Sequence, residues 1–176
     1  SHTISKNNKG SVSVFPIDLN SDGNIDVLSA SRYDNSISWY KNDGNGIFSR
    51  QFITKDANGP LAVTADDVDG DGDVDVLSAN EHDNSIVWYS NNGEESFKAK
   101  TVASQVTDIW SIYSSDVDFD GDVDILTGTK DDDTIIWYEN IGNENFSTQS
   151  KVHTSDPIFS QYVYDADGDG DLDIFP

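Results

Sequence analysis

Asp67-Val68-Asp69-Gly70-Asp71-Gly72-Asp73-Val74-Asp75, followed by Val76 and Leu77, decides how the whole chain reads. Acidic side chains occupy positions one, three, five, seven and nine of a short loop, with glycine at position six. Alternate residues of a tight loop can turn their oxygens toward one centre, and glycine permits the sharp bend. Several hard oxygens around one point suit Ca²⁺, which takes six to eight of them. Without a cation, carboxylates this close repel one another. The stretch recurs three times: Asp18-Leu19-Asn20-Ser21-Asp22-Gly23-Asn24-Ile25-Asp26, Asp116-Val117-Asp118-Phe119-Asp120-Gly121-Asp122-Val123-Asp124 and Asp165-Ala166-Asp167-Gly168-Asp169-Gly170-Asp171-Leu172-Asp173. The loops start at 18, 67, 116 and 165, so the period is 49 throughout.

Outward from each loop, every unit carries four strand-like runs. In the first they are Ser11 to Phe15, Ile25 to Ala30, Ile37 to Tyr40 and Phe48 to Ile53, broken by Tyr33-Asp34-Asn35-Ser36 and Asn42-Asp43-Gly44-Asn45-Gly46. Alternating β-branched and aromatic residues punctuated by Asn, Asp and Gly predict strands joined by hairpins. No segment has a helical period. Four antiparallel strands in units of roughly 40 to 50 residues predict an all-β chain built of β-propeller blades. The units run over 11–59, 60–108, 109–157 and, in part, 158–176, about 3.6 blades in a single repeat domain. Residues 2–6 align by period with Gln51 to Lys55, the fourth strand of a preceding or shared blade. Four full periods need 196 residues, 20 more than the 176 present. The open edges of such an arc therefore call for the remainder of a propeller or for self-association.

Formal net charge is −23, from 33 acidic and 10 basic residues. That field disfavours nucleic acid and anionic lipid as partners. The aromatic content of 11% argues against disorder. About half of the acidic residues lie in the four loops, so the charge reads as metal sites rather than a solvated tail. No apolar run approaches the roughly 20 residues that a membrane-spanning helix needs. The chain has no cysteine, which removes disulfide and thiolate chemistry. Weak calcium sites belong where free calcium is millimolar, which points to an extracellular or cell-surface setting.

The loop opening is shared with the EF-hand, which requires a bidentate Glu at position twelve and flanking helices. Position twelve here is Ser29, Ser78, Thr127 or Pro176, and the flanks are strands, so the EF-hand is rejected. What remains is a nine-residue loop between strands. Positions one, three, five and nine offer side chains, and position seven (Asn24, Asp73, Asp122, Asp171) offers its backbone carbonyl. Asp-rich hairpin turns need only one or two such residues, not five at alternate positions four times.

The loop with its following strand, the Ile-Val-Trp-Tyr run at 86–89 and the Asn-x-Gly-x-x-x-Phe spacing together resemble the FG-GAP-like (VCBS) repeat. That family is related to the calcium-binding repeats of integrin alpha-subunit propellers. The resemblance covers essentially the whole chain. It implies a propeller with Ca²⁺ in the loops, about four sites in all, and a secreted or cell-surface role. The implied ligands are Asp18, Asn20, Asp22, Asn24 and Asp26; Asp67, Asp69, Asp71, Asp73 and Asp75; Asp116, Asp118, Asp120, Asp122 and Asp124; and Asp165, Asp167, Asp169, Asp171 and Asp173. The Phe-Gly and Gly-Ala-Pro segments of the parent repeat are absent, with Asn58-Gly59-Pro60 nearest to them. This favours the VCBS branch and sets integrin ligand chemistry aside.

Trp39, Trp88 and Trp137 recur at the period and read as blade-to-blade packing. Trp110 has Val12, Leu61 and Phe159 as equivalents. It reads as core, with an exposed indole stacking on a sugar face as the alternative. His2, His82 and His153 share no repeat position and read as surface residues. No nucleophile or phosphate-loop motif is present, and carboxylates committed to calcium are poor general acids. The expectation is therefore a non-enzymatic calcium-binding module for adhesion or lectin-like binding, with carbohydrate or an extracellular protein as partner. The alternatives are an accessory propeller portion of a secreted carbohydrate-active enzyme, or a structural spacer.

Overall fold

The computed structural model describes residues 3–5, 9–131, 133–153, 162–164, 166–167 and 173–175. Among these the chain is all-β, its one helical element being a three-residue 3₁₀ turn at Arg32–Asp34. The first sheet has the order β1 (Ser11–Ile17), β2 (Asp26–Ser31), β3 (Ser36–Asn42) and β4 (Phe48–Thr54). The second comprises β5 (Pro60–Asp66), β6 (Asp75–Asn80), β7 (Ser85–Asn91) and β8 (Phe97–Ala103). The third comprises β9 (Ile109–Ser115), β10 (Asp124–Thr129), β11 (Thr134–Asn140) and β12 (Phe146–His153). A two-stranded sheet follows, β13 (Tyr162–Tyr164) with β14 (Asp173–Phe175). All pairings are antiparallel, and register repeats between sheets: Leu28 faces Trp39, Leu77 faces Trp88 and Leu126 faces Trp137.

Each sheet is a meander because its connections are too short for anything else. The β2–β3 turns end in left-handed residues, Asn35 (φ 51°), Asn84 (φ 53°) and Asp133 (φ 46°), which Asn and Asp tolerate best among non-glycine residues. Residues 3–5 lie outside any strand.

The inner strands β1, β5 and β9 lie side by side, tied by Val63 N–H to Ser13 Oγ (3.3 Å) and by Thr64 Oγ1 to Ser114 Oγ (3.3 Å). Between sheets one and two, Leu28, Ile37 and Trp39 meet Val63, Val76 and Tyr89. Between sheets two and three, Leu77, Ile86 and Trp88 meet Ile109, Ile125 and Tyr138. The Trp-Tyr pair thus divides its labour: tryptophan packs toward the following sheet and tyrosine toward the preceding one. The open arc shows in the exposures. Val14 is 66% exposed on sheet one, whereas its equivalent Val63 is 4% exposed beneath it. Trp39 and Trp88 are buried, and Trp137, on the trailing face of sheet three, is half-buried.

Candidate metal centre

The acidic loops join the first two strands of each sheet and turn on two demands for a left-handed backbone, at positions four and six. Position six is glycine, at φ 87° in Gly23, 93° in Gly72 and 97° in Gly121. Position four is left-handed too, and there the residues differ: Ser21 (55°), Gly70 (73°) and Phe119 (61°). A bulky L-residue at such an angle is strained. Phe119 is also 59% exposed, so its ring offsets little of that strain. Phe119→Gly is therefore expected to stabilise the protein by roughly 1 kcal/mol, read as a higher urea midpoint, with Gly70→Phe moving the midpoint the opposite way.

Position one holds the loop closed. Asp18 Oδ1 and Oδ2 accept from the N–H groups of Asp22 (3.0 Å) and Gly23 (2.8 Å). Asp116 repeats this with Asp120 (3.1 Å) and Gly121 (3.0 Å). Asp67 Oδ2 accepts from Gly72 N–H at 2.9 Å. Position five caps position seven, through Asn24 N–H to Asp22, Asp73 N–H to Asp71 and Asp122 N–H to Asp120, each at 2.9 Å. Carboxylate oxygens of Asp67, Asp69 and Asp71 lie within 4.8 Å of one another, and those of Asp116, Asp118 and Asp120 do the same. In the first loop Asn20 stands where the others have an acid. Its amide nitrogen donates to Asp22 (3.0 Å), and this bond is the main cause holding Asp22 below the usual carboxylate range.

Position nine is set apart. Asp26, Asp75 and Asp124 open β2, β6 and β10 and are fully buried. One oxygen accepts from the N–H of loop position two: Leu19 (3.4 Å), Val68 (3.2 Å) or Val117 (3.1 Å). The other accepts from the N–H closing the third strand: Asn42 (2.7 Å), Asn91 (2.7 Å) or Asn140 (2.8 Å). In sheet one the Trp39 indole N–H also donates to Asp26, at 2.8 Å. Burial pushes Asp75 up to about 6 against the lowering effect of the Asn91 N–H, and the charge of Asp69 raises it further. Burial likewise raises Asp124, with the charge of Asp118 adding to it. Position nine therefore borders the same electrostatic centre as position three.

Position seven points elsewhere. A Cβ on Gly93 would lie 2.5 Å from Asp73 Oδ2, and one on Gly44 would lie 2.7 Å from Asn24 Oδ1. These side chains lie over the glycine of the β3–β4 type hairpin. The fourth loop is described at Asp167 and Asp173, where Ala166 N–H donates to Asp173 Oδ2 at 3.1 Å as in the other loops. Asp165, Asp169 and Asp171 lie outside the described residues, as does His2; His82 is exposed and His153 ends β12.

The donor set fits a hard cation on two observations. Asp67 Oδ1 and Asn20 Oδ1 are buried and accept no hydrogen bond, a costly condition for an oxygen. Burial raises Asp69, and the charge of Asp71 beside it adds to the rise, the mutual repulsion that a cation relieves. Asn42, Asn91 and Asn140, the asparagines of the Asn-x-Gly-x-x-x-Phe spacing, have a role beside the loops that the sequence reading does not assign them. Each binds a loop carbonyl through its amide nitrogen (Ile25 O, 2.9 Å; Val74 O, 3.0 Å; Val123 O, 3.2 Å) and a hairpin glycine N–H through its Oδ1. Their signal was visible, three residues after each repeated tryptophan.

The model of the family described as FG-GAP-like repeat matches residues 18–78, 67–127 and 116–175. The chain belongs to the FG-GAP-like repeat family. No curated protein matches its sequence. Among solved structures, an Agrocybe aegerita lectin, described in its specific recognition of non-reducing terminal N-acetylglucosamine, is similar with a TM-score of 0.61 at 19% identity, over 92% of this chain and 45% of the lectin. BBS1N in complex with ARL6DN aligns with a TM-score of 0.61 at 12% identity, over 90% of this chain and 48% of that one. The V. cholerae biofilm matrix protein Bap1 aligns with a TM-score of 0.53 at 20% identity, over 96% and 28%. Identities this low speak for the fold alone. This FG-GAP-like chain spans less than half the length of each of these three solved chains, and its three four-stranded sheets are blades of a partial β-propeller.

Proposed function

We propose that this FG-GAP-like chain is an extracellular calcium-binding propeller module that binds or adheres through its surface, with calcium stiffening the loops rather than performing chemistry. The single observation that carries the reading is the convergence of Asp67, Asp69 and Asp71, and of Asp116, Asp118 and Asp120, each coupled through position three to a buried position-nine carboxylate. Positions one, three, five and nine would hold the ion with their side chains, and position seven, its side chain turned to the hairpin, with its carbonyl. Asn20 and Asn24 leave the first site less acidic than the second and third, and the fourth loop repeats the donor pattern in sequence. The blades are taken as 11–59, 60–108 and 109–157, with 158–176 beginning a fourth. The Val12 and Val14 face of the first blade is best covered by another blade of the same repeat. The lectin and the biofilm matrix protein among its structural relatives support carbohydrate or an extracellular protein as partner.

Calcium titration by calorimetry of the chelator-treated protein is expected to show about four ions at affinities of about 10⁻⁴ to 10⁻³ M. Asp71→Ala should lower the stoichiometry by about one. Unchanged stoichiometry in that variant would sink the loop assignment.

A further inference from the structure

The seam between the second and third blades carries a hollow at the end of the sheets opposite the acidic loops. The cavity, of about 270 Å³, is lined by Glu81 and Asn84 from the second blade, by Asp108 at the end of the segment that connects the blades, and by Trp110, Lys130 and Asp131 from the third. The preceding seam offers a control within the same molecule, because the residues 49 earlier are Arg32, Asn35, Gly59, Leu61, Glu81 and His82. There Arg32 and Glu81 form an ion pair across the blades. The His82 ring lies so close to Gly59 that a Cβ would come within 2.6 Å of it. Leu61 is 8% exposed.

Four of these positions change character together in the next seam. Glycine becomes Asp108, leucine becomes Trp110, glutamate becomes Lys130 and histidine becomes Asp131. The ring that covered the linker glycine is replaced by a carboxylate, and a second carboxylate stands where the glycine was. Asp108 keeps the left-handed backbone of the glycine it replaces, at φ 55° against 73° for Gly59. Aspartate there carries a backbone penalty that glycine avoids, and such strain gathers at functional positions. The Lys130 N–H to Asp108 O bond (2.9 Å) fastens the connecting segment to the third blade, as Glu81 N–H to Gly59 O (3.0 Å) does at the preceding seam.

We infer that this hollow is a binding site for an uncharged pyranose unit of a glycan. The inference rests on the reading of the chain as a binding module and names one class of ligand and its place. A sugar ring has an apolar C–H face and a girdle of hydroxyls. The half-buried Trp110 indole offers the matching platform. Glu81, Asp108 and Asp131 accept from hydroxyls, Asn84 does both, and the Lys130 ammonium donates. Glu81 is already paired with Arg32 across the preceding seam, so Asp108 and Asp131 against Lys130 leave the hollow one net negative charge, which repels an anionic sugar. The Lys130 ammonium sits 5.2 Å from the Trp110 ring centroid, where an aromatic face attracts a cation. It is the resident cation of the hollow, so an incoming cation meets its repulsion and a neutral ring does not. Lys130 is exposed, and its flexible stem lets the ammonium swing to the rim to free the indole face for the sugar.

The test is saturation-transfer NMR on the full chain in calcium, with the methyl glycosides of N-acetylglucosamine, glucose, galactose and mannose, and with sialic acid and tetramethylammonium as controls. Trp110→Leu and Asp108→Gly restore what the preceding blade carries at the same positions, so both should fold. At least one neutral glycoside should bind, sialic acid should not, and each variant should weaken binding at least about tenfold. No binding of any neutral glycoside, binding unchanged in both variants, or a preference for tetramethylammonium overturns the inference. Calcium uptake measured on the same samples separates the two readings. Uptake retained without sugar binding overturns this inference alone, whereas absent uptake overturns the calcium module itself.

Discussion

Trp88→Ala is expected to cost about 4 kcal/mol of stability. Trp88 is 1% exposed, and its ring meets Phe146 of the third blade edge-on, with centroids 6.4 Å apart and planes at 78°. Leu77 beneath it and Ile109, Ile125 and Tyr138 across the seam complete its surroundings. Truncation leaves a hole that two rigid sheets cannot close, because each is fixed by its own hydrogen-bond ladder. Lys100 lies over the same ring at 5.6 Å and pairs across the seam with Glu144 Oε2 at 3.3 Å. That pair is solvent-accessible, so Lys100→Ala should cost no more than about 1 kcal/mol. Trp137→Ala is the informative comparison. Its side chain has the same place in its blade but is half-buried, and its loss should cost about half as much. Urea unfolding of the three variants in saturating calcium measures all of this. Equal losses for Trp88 and Trp137 would mean that the trailing face of the third blade is covered in solution.

The contrast also shows what sequence could and could not carry. A period of 49 with one tryptophan and one acidic loop per turn made the blades legible, because every unit must solve the same packing problem with the same residues. Strand ends came within two or three residues of the observed ones for the same reason. The inner organisation of the acidic loop was less legible. The sequence reading sets position seven apart as a backbone donor but groups position nine with positions one, three and five, and the structure divides that group. Positions one, three and five gather at the surface, position seven leans on a hairpin glycine, and position nine sinks into the sheet to accept backbone N–H groups. That division depends on where β2, β6 and β10 begin, a fact of register that no single loop contains. Position four hid its left-handed backbone behind three dissimilar residues, Ser21, Gly70 and Phe119. Trp110 was read first as core because its equivalents are apolar. Only the seam shows that the third blade replaces a glycine and its covering ring with Asp108 and Asp131, and so leaves the indole beside a hollow.

Asp75→Ala should destabilise the protein by roughly 3 kcal/mol even in chelator, while Asp71→Ala should leave the calcium-free protein nearly unchanged. Both residues belong to the same nine-residue loop, and on charge alone they are interchangeable. Their surroundings differ. Asp71 is exposed, and the hydrogen bond it receives from Asp73 N–H is one that water can replace. Asp75 is fully buried and accepts from Val68 N–H on one side and Asn91 N–H on the other. Alanine leaves both donors without a partner where water cannot reach, and an orphaned buried donor costs about 1 to 3 kcal/mol. Asp75→Asn should fall between the two, since a carboxamide keeps one acceptor oxygen but turns an N–H toward the other donor. Calcium then adds its own dependence. At a free concentration one hundred times the dissociation constant, each intact site contributes about 2.7 kcal/mol, and both variants lose that share from the second loop. Thermal unfolding of wild type, Asp71→Ala, Asp75→Asn and Asp75→Ala, in chelator and in calcium, separates the two contributions. If Asp75→Ala and Asp71→Ala melt together in chelator, the buried carboxylate is a ligand only. If they part as expected, one aspartate in each loop holds the blade together before any ion arrives, and the blade presents the ion with a loop already formed.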